Sequence, residues 1–177
     1  MAFGWAGEIS IMTQNVWFDD ETGVKGRYDK LLNELLTKSP DVICLQEVTQ
    51  AAYGIVQQFA ARNSYKVVGE VLSGYGNVTL SKIDIIGSEL ITLPSKMGRK
   101  ALTAKIRING KDVAINNVHL ESMMNDTERR IIQLSAIIEK NNSGQFAIIG
   151  DFNFGDGEKE NEVLLHYMDV GRGVVGF

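Results

Sequence analysis

The chain has 177 residues, a length that favours one domain, residues 1–177, with a sizeable hydrophobic core. Its formal net charge is −4 and its pI is about 5.2. The protein therefore lacks an overall positive field that would hold it on nucleic acid, which disfavours a passive DNA-coating role but leaves room for an enzyme with local basic groups.

Cys44 is the only cysteine, which excludes an intramolecular disulfide and a thiolate-rich zinc site. The segment from Met1 to Trp5 lacks the cationic region and long apolar stretch of a signal peptide. No run approaches the roughly 18 apolar residues that span a bilayer. We therefore expect an intracellular protein of the nucleus or cytoplasm, not secreted and without membrane association.

In the first part of the chain, strands alternate with helices. A strand is predicted from Ile9 to Phe18, and apolar residues at helical spacing between Tyr28 and Leu36 predict a helix that ends before Pro40. A buried strand from Val42 to Leu45 closes in Gln46-Glu47. The next helix is capped by Thr49 and buries one side, formed by Ala52, Val56, Phe59 and Ala60.

The second part begins with short strands at residues 65–71, 77–82 and 83–93. Alternating residues 102–108 predict a half-buried strand, and Asn109-Gly110 predicts a type I′ turn. The return strand has five residues on one face: Val113, Ile115, Asn117, His119 and Glu121.

After this hairpin, Asn125 and Glu128 resemble a capping box at the start of a helix. A last apolar strand, Phe146 to Ile149, leads into Gly150-Asp151. Residues 155–160 predict a solvated loop, and residues 163–168 predict a short helix.

Four strands end in polar groups: Asn15, Glu47, His119 with Glu121, and Asp151 with Asn153. If the strands lie side by side, these groups collect along one rim of the core. Mg²⁺ prefers oxygen ligands and takes one or two carboxylates from a protein, while amides and imidazoles can donate to phosphate oxygens. Each residue alone has a structural explanation as a strand end, turn or cap. Their joint occurrence favours phosphodiester hydrolysis.

Four motifs carry a resemblance to a known family: Thr13-Gln14-Asn15, Leu45-Gln46-Glu47-Val48, His119-Leu120-Glu121-Ser122 and Gly150-Asp151-Phe152-Asn153. In this order they resemble the endonuclease/exonuclease/phosphatase superfamily, which includes deoxyribonuclease I and the abasic-site endonucleases. Segments 94–99, 119–122 and 128–134 are similar to the tyrosyl-DNA phosphodiesterase type, which releases protein-linked 5′ DNA ends. The resemblance implies an α/β fold, a four-layer sandwich of two mixed sheets with helices outside.

The resemblance also implies roles for individual residues. Glu47 would bind the metal, Mg²⁺ or Mn²⁺, and Asp151 would orient or deprotonate the attacking water, with Asn153 positioning the phosphate. Asn15 would lie beside the scissile phosphate, and His119 would contact phosphate or act structurally. The substrate-lining positions would be Glu121, Ser122 and Arg99.

Two departures from the family pattern stand out. Trp17 occupies a position that is acidic in some members, and the late aspartate-histidine pair is missing, since His166 lies in a different context. The final strands are also missing, so we expect a fold that is incomplete at its C-terminus. An open sheet edge would favour self-association or aggregation, and little turnover by this chain alone.

Three hypotheses of function remain. The first is a Mg²⁺-dependent phosphodiesterase or nuclease acting on DNA 5′ ends, including protein-linked tyrosyl ends. The second is a catalytically dead fragment that acts as a binding or interaction protein. The third is an enzyme for phospholipids, which ranks last because the chain has no amphipathic membrane segment or basic cluster.

Overall fold

The structure is a computed structural model that describes residues 8–19, 23–69, 71 and 74–169. The helices are α1 (Val24–Lys38), α2 (Gln50–Arg62), α3 (Thr127–Lys140) and α4 (Glu160–Asp169), and a 3₁₀ turn (Met124–Asp126) precedes α3. The strands are β1 (Ile11–Asn15), β2 (Val42–Thr49), β3 (Lys66–Val68), β4 (Tyr75–Ser81), β5 (Ile85–Thr92), β6 (Lys100–Ile108), β7 (Lys111–His119) and β8 (Gln145–Asp151).

The strands form two four-stranded mixed sheets, in the orders β1-β2-β4-β3 and β5-β6-β7-β8. β1 runs parallel to β2, and β7 runs parallel to β8, while the other neighbours are antiparallel. Apolar side chains such as Cys44, Ile106 and Ile115 pack between the sheets. Helices α1 and α2 cover the outer face of the first sheet, and α3 and α4 cover that of the second. The expected four-layer α/β sandwich is confirmed.

The local signals that predicted the first helices are confirmed. α1 ends at Lys38, and the φ of 48° at the following residue, Ser39, breaks the helix directly before Pro40. Thr49 caps α2, because its side-chain oxygen accepts the backbone N–H of Ala52 at 3.2 Å. The buried side of α2 consists of the four residues expected from the sequence: Ala52, Val56, Phe59 and Ala60.

The hairpin between β6 and β7 is also confirmed, with positive φ angles of 50° at Asn109 and 78° at Gly110. β6 is not simply half-buried, however. Thr103 lies on the face away from the inter-sheet core and is nonetheless buried. Its hydroxyl donates to Asn116 Oδ1 at 2.7 Å. Asn141, directly after α3, donates to the same oxygen, so the helix layer covers this part of the strand.

The predicted capping box at Asn125 and Glu128 is wrong. The residue preceding α3 is Asp126, which makes no side-chain capping bond, and the chain reaches the helix through the 3₁₀ turn. The reason is a competing partner. The Asp126 carboxylate accepts from Lys96 Nζ at 2.8 Å and lies 3.6 Å from Arg129 Nε.

The predicted solvated loop of residues 155–160 does not extend to Glu160, which is the first residue of α4 and is wholly buried. Its carboxylate pairs with the equally buried Arg130 of α3 at 2.8 Å. Arg130 also donates to the carbonyls of Glu121 and Met123, at 3.2 and 2.7 Å. This buried ion pair fastens α4 to α3 and to the loop after β7.

The strands β1 and β8 lie at the same side of the sandwich, close to each other. Within the residues that the structure describes, β1 pairs only with β2 and β8 pairs only with β7. Both strands therefore present one unpaired backbone edge there. In the same part of the chain, no helix is long and apolar enough to cross a bilayer.

Candidate active site

Four strands from both sheets bring four of the predicted residues together. The Asn15 amide donates to Glu47 Oε1 at 3.0 Å and to Asp151 Oδ2 at 2.8 Å. His119 Nε2 lies 3.7 Å from each of the same two oxygens. Asn15 ends β1 and Asp151 ends β8, at the facing edges of the two sheets. The site is thus assembled where the sheets meet.

Glu47 reaches the site from a bulge in the middle of β2, and not from the end of a strand as the sequence suggested. The register of β2 against β4 shifts between Leu45 and Val48, and Glu47 has a φ of 60°. That conformation costs a non-glycine residue about 1–2 kcal/mol. The bulge re-aims the carboxylate, whose Oε2 accepts the backbone N–H of Phe18 at 3.0 Å.

Asp151 depends on the glycine before it. Gly150 has a φ of 150°, and a Cβ at this position would lie 2.0 Å from the carbonyl oxygen of Val118, so only glycine fits. β8 can therefore approach β7 closely enough to place Asp151 opposite His119. The backbone N–H of Asn153 donates to Asp151 Oδ1 at 3.1 Å, and the Asn153 amide donates to the Leu120 carbonyl at 3.0 Å.

Behind these residues, a buried amide pair joins the two sheets. Gln46 Nε2 donates to Asn117 Oδ1 at 2.7 Å, and Asn117 Nδ2 donates to the carbonyls of Leu45 and Val78 at 3.1 and 3.0 Å. Gln46 precedes Glu47, so this bridge fixes the relative height of the two sheets at the site. Sequence reasoning missed this role. The available signal was an amide side chain directly after an apolar run in each of two strands, Gln46 after Val42–Leu45 and Asn117 on the same face as Val113 and Ile115.

His119 is held as the neutral imidazole. Burial lowers its pKa below the ordinary value, and the neighbouring Arg99 guanidinium lowers it further, although Asp151 and Glu47 act in the opposite direction. Arg99 Nη1 lies 3.0 Å from His119 Nδ1. Because a guanidinium can only donate, Nδ1 must accept, and the proton resides on Nε2. The Nε2–H group therefore faces the two carboxylates.

Arg99 is almost wholly buried and connects His119 to the wall of a cavity. Its guanidinium donates to Ser122 Oγ at 2.6 Å and to the Tyr75 hydroxyl at 3.3 Å. The cavity has a volume of about 480 Å³, and its lining includes His119, Arg99, Lys100, Tyr75, Met97 and Leu90. Arg99 thus lines the cavity, whereas Ser122 contacts Arg99 without being one of the lining residues. Tyr75 was missed, because a tyrosine at the start of a strand carries no distinctive pattern.

Glu121 does not lie where the sequence analysis expected it, among the residues that line the substrate. It is wholly buried and does not line the cavity. One carboxylate oxygen accepts from the backbone N–H groups of Lys96 and Met97, and the other accepts from Ser95 Oγ and Gln133 Nε2. β7 ends at His119, so the alternation that would have put Glu121 on the same face stops before it. Glu121 anchors the loop that carries Arg99.

The donor set fits a hard cation with few protein ligands. Glu47 and Asp151 converge on one amide and a neutral imidazole, and within the described residues no lysine or arginine forms an ion pair with either carboxylate. That part of the chain also has no group of three or more His, Cys, Asp or Glu side chains placed to hold a metal. Mg²⁺ tolerates such a site, because it retains several waters.

Comparison with known proteins points to one family. Residues 12–169 match the Endonuclease/Exonuclease/phosphatase family. Tyrosyl-DNA phosphodiesterase 2 of Xenopus tropicalis is 30% identical over 136 residues, which cover 75% of this chain and 36% of that protein. The Homo sapiens protein of the same name is 27% identical over 158 residues, which cover 85% of this chain and 43% of that protein. The chain spans less than half the length of these relatives.

Solved structures show the same fold. D. rerio TDP2 complexed with single strand DNA product has a TM-score of 0.75 at 26% identity, and the match covers 92% of this chain and 64% of that one. ANGEL2, a 2′,3′-cyclic phosphatase, has a TM-score of 0.75 at 18% identity, with 92% of this chain and 57% of that one covered. At that identity the likeness concerns the fold alone. Since the family match covers nearly the whole described chain, the chain belongs to the endonuclease/exonuclease/phosphatase family.

Proposed function

We propose that this chain carries the metal-binding and water-activating groups of a phosphodiesterase that hydrolyses phosphodiester bonds at DNA 5′ ends. One observation carries the proposal: Glu47 and Asp151, from different sheets, converge on the Asn15 amide beside the neutral His119. Two carboxylates that converge, with no lysine or arginine partner among the described residues, are suited to a divalent cation and a water molecule.

Glu47 would hold the metal, Mg²⁺ or Mn²⁺, which offsets the negative charge of the phosphate when it is bound. Its bulge and the N–H group of Phe18 fix the direction of the carboxylate. Asp151 orients the attacking water and accepts its proton, and the backbone N–H group of Asn153 holds the other oxygen of Asp151 in place.

The remaining groups bind the phosphate. The His119 Nε2–H group faces the space beside the carboxylates and donates to a phosphoryl oxygen there, and Arg99 adds positive charge behind the imidazole. The Asn15 amide holds the two carboxylates in place by donating to both. Ser122 Oγ accepts a hydrogen bond from the Arg99 guanidinium and so helps to hold that charge in place. In the transition state, negative charge grows on the phosphoryl oxygens, and the imidazole N–H group and the guanidinium charge stabilise it.

The substrate class rests on the relatives and on the cavity. Two relatives are tyrosyl-DNA phosphodiesterases, and a matching structure is complexed with a single strand DNA product. In this chain the cavity beside the site is lined by Arg99, Lys100 and Tyr75. Two cations and an aromatic ring suit the phosphates and bases of a single strand, including one whose 5′ end is linked to a tyrosine.

The test is cleavage of a 5′-tyrosyl oligonucleotide by the 177-residue chain, with Mg²⁺ or with EDTA. Asp151→Asn keeps the size of the side chain and removes the base, so we expect it to lower the rate about 10²–10⁴-fold. Comparison with this matched variant is decisive even if the absolute rate is low. If wild type and Asp151→Asn release tyrosine at the same Mg²⁺-independent rate, the proposal is wrong.

A further inference from the structure

The residues after β1 connect the active site to the start of α1. The backbone N–H of Trp17 donates to Asn15 Oδ1, and that of Phe18 donates to Glu47 Oε2, both at 3.0 Å. These two N–H groups therefore orient the side chains on which the proposed function depends. Arg27, near the start of α1, has no role in that proposal so far.

The segment with these two N–H groups gains little from burial. Trp17 has a φ of 60°, a left-handed conformation that is unfavourable for a residue other than glycine. About half of the Trp17 side chain and half of the Phe18 side chain are exposed. The Phe18 ring lies against Tyr75, with 5.1 Å between ring centroids, but this contact fixes the ring and not the peptide group before it. A strained backbone persists only where further contacts hold it.

Arg27 makes such a contact from α1. Its Nη2 atom donates to the carbonyl oxygens of Trp17 and Asp19, at 2.9 and 2.8 Å. Its guanidinium carbon also lies 5.4 Å from the centre of the Trp17 ring. The next residue, Tyr28, is buried in the core beneath α1, which fixes this turn of the helix. The guanidinium thus ties the segment after β1 to the helix layer.

One peptide group lies between Arg27 and Glu47. The Trp17 carbonyl and the Phe18 N–H belong to the same planar trans peptide, so they point in opposite directions. The guanidinium donates to the carbonyl on one side, and the N–H donates to the Glu47 carboxylate on the other. A donor on the carbonyl also polarises the N–H, which strengthens its hydrogen bond to the carboxylate. Rotation of this peptide group would break both hydrogen bonds at once.

We propose that Arg27 is a positioning residue of the active site, which orients the peptide group between Trp17 and Phe18 so that its N–H holds the Glu47 carboxylate toward the metal. The inference rests on the proposed function and deepens it, because Glu47 is the residue proposed to bind the cation. Arg27 acts through the backbone, since no arginine in the described part of the chain forms an ion pair with Glu47.

An effect of charge alone predicts the opposite outcome. A positive charge near a cation site repels the cation, so removal of a guanidinium that acts only through its charge strengthens metal binding. Loss of a group that orients a metal ligand weakens binding, by about 10- to 100-fold. The sign of the change in metal affinity therefore separates the two explanations.

The experiment measures binding of Mn²⁺ alone to the 177-residue chain, without nucleic acid and at fixed ionic strength, from the electron paramagnetic resonance signal of the free ion. Arg27→Met removes the guanidinium and keeps an unbranched side chain, and it should weaken binding about 10- to 100-fold. Arg27→Lys keeps the charge without the planar fork and should recover part of that loss. Arg62→Met makes the same change at an exposed arginine in the last turn of α2 and should stay within about two-fold of wild type.

Hydrogen exchange of the Phe18 amide, followed by NMR without metal, measures the orientation of the peptide group directly. The amide should be protected in wild type and in Arg62→Met, and should exchange at least about ten-fold faster in Arg27→Met. If Arg27→Met does not fold, Arg27→Gln takes its place, because its shorter, neutral side chain also lacks the guanidinium.

Unchanged or tighter Mn²⁺ binding in Arg27→Met overturns the proposal, as does a wild-type Phe18 amide that exchanges as fast as an unstructured one. The outcome is separate from that of the cleavage assay. Weaker Mn²⁺ binding in Arg27→Met without Mg²⁺-dependent cleavage by wild type would keep the positioning role and refute the proposed activity. Mg²⁺-dependent cleavage together with unchanged Mn²⁺ binding in Arg27→Met would do the reverse, and absence of Mn²⁺ binding to wild type would refute both.

Discussion

Replacement of Glu121 by glutamine tests whether this buried carboxylate holds the loop that carries Arg99. Burial by itself raises the pKa of Glu121, but the donors of Ser95, Lys96, Gln133 and Met97 outweigh it, and the net pKa lies below the ordinary value. Their distances to the carboxylate are 2.7, 2.8, 3.2 and 3.1 Å. The charged form is therefore the one that the fold stabilises.

The expected loss of stability follows from the hydrogen bonds that the two carboxylate oxygens of Glu121 accept. Glutamine keeps an oxygen for the two backbone N–H groups, but its amide nitrogen then faces Gln133 Nε2, which is also a donor. The Ser95 hydroxyl can rotate to accept, so about one hydrogen bond to a charged group is lost, roughly 1.5–3 kcal/mol. Against a total stability of about 5–15 kcal/mol, this loss is easily measured.

The assay is urea unfolding of wild type and Glu121→Gln as a function of pH. A carboxylate with a lowered pKa contributes stability above its unfolded pKa and loses it as the pH falls through the folded pKa. The difference between the two proteins should be full at neutral pH and shrink below about pH 4.3. Glu128→Gln makes the same chemical change on the exposed face of α3 and should stay within about 0.5 kcal/mol. Equal stability of Glu121→Gln and wild type at neutral pH would refute the anchoring role.

Three further predictions follow from other parts of the structure. Glu47→Ala should abolish Mg²⁺ binding, which isothermal titration of wild type should show at about millimolar affinity because few protein oxygens are available; equal binding would remove Glu47 from the site. Arg130→Met should lower the free energy of unfolding by about 3–5 kcal/mol by leaving Glu160 buried without its partner, and Arg130→Met with Glu160→Met should recover part of it. Because β1 and β8 present open edges, size-exclusion chromatography should show association that increases with concentration, and a monomer at all concentrations would contradict this.

Much of the fold could be predicted from local patterns. Periodicity identified the helices, Pro40 and Thr49 marked where α1 ends and α2 begins, and Asn109-Gly110 marked the hairpin. These signals are reliable because each depends on the conformational preferences of a few neighbouring residues. The family resemblance then supplied what periodicity cannot, namely the facing of two sheets in four layers.

The positions of Asn15, His119 and Asp151 at strand ends were also visible in the sequence, and they meet as expected. Their roles in catalysis stay predictions. Local pattern failed where a distant partner decided the outcome. The Asp126 carboxylate pairs with Lys96 and does not cap α3, and Glu160 is buried by Arg130.

The sequence by itself determined which polar groups follow which strands, and through them the family. Only the tertiary structure decided how these groups are aimed. The bulge turns Glu47 into the site, the end of β7 sends Glu121 to the loop of Arg99, and Tyr75 meets Phe18. Alternation along a strand predicts the face on which a side chain lies only while the strand pairs regularly. One bulge, or the end of the strand, therefore changes the face of the residues that follow. Pairs far apart in the chain are fixed by packing between layers, which no local pattern records.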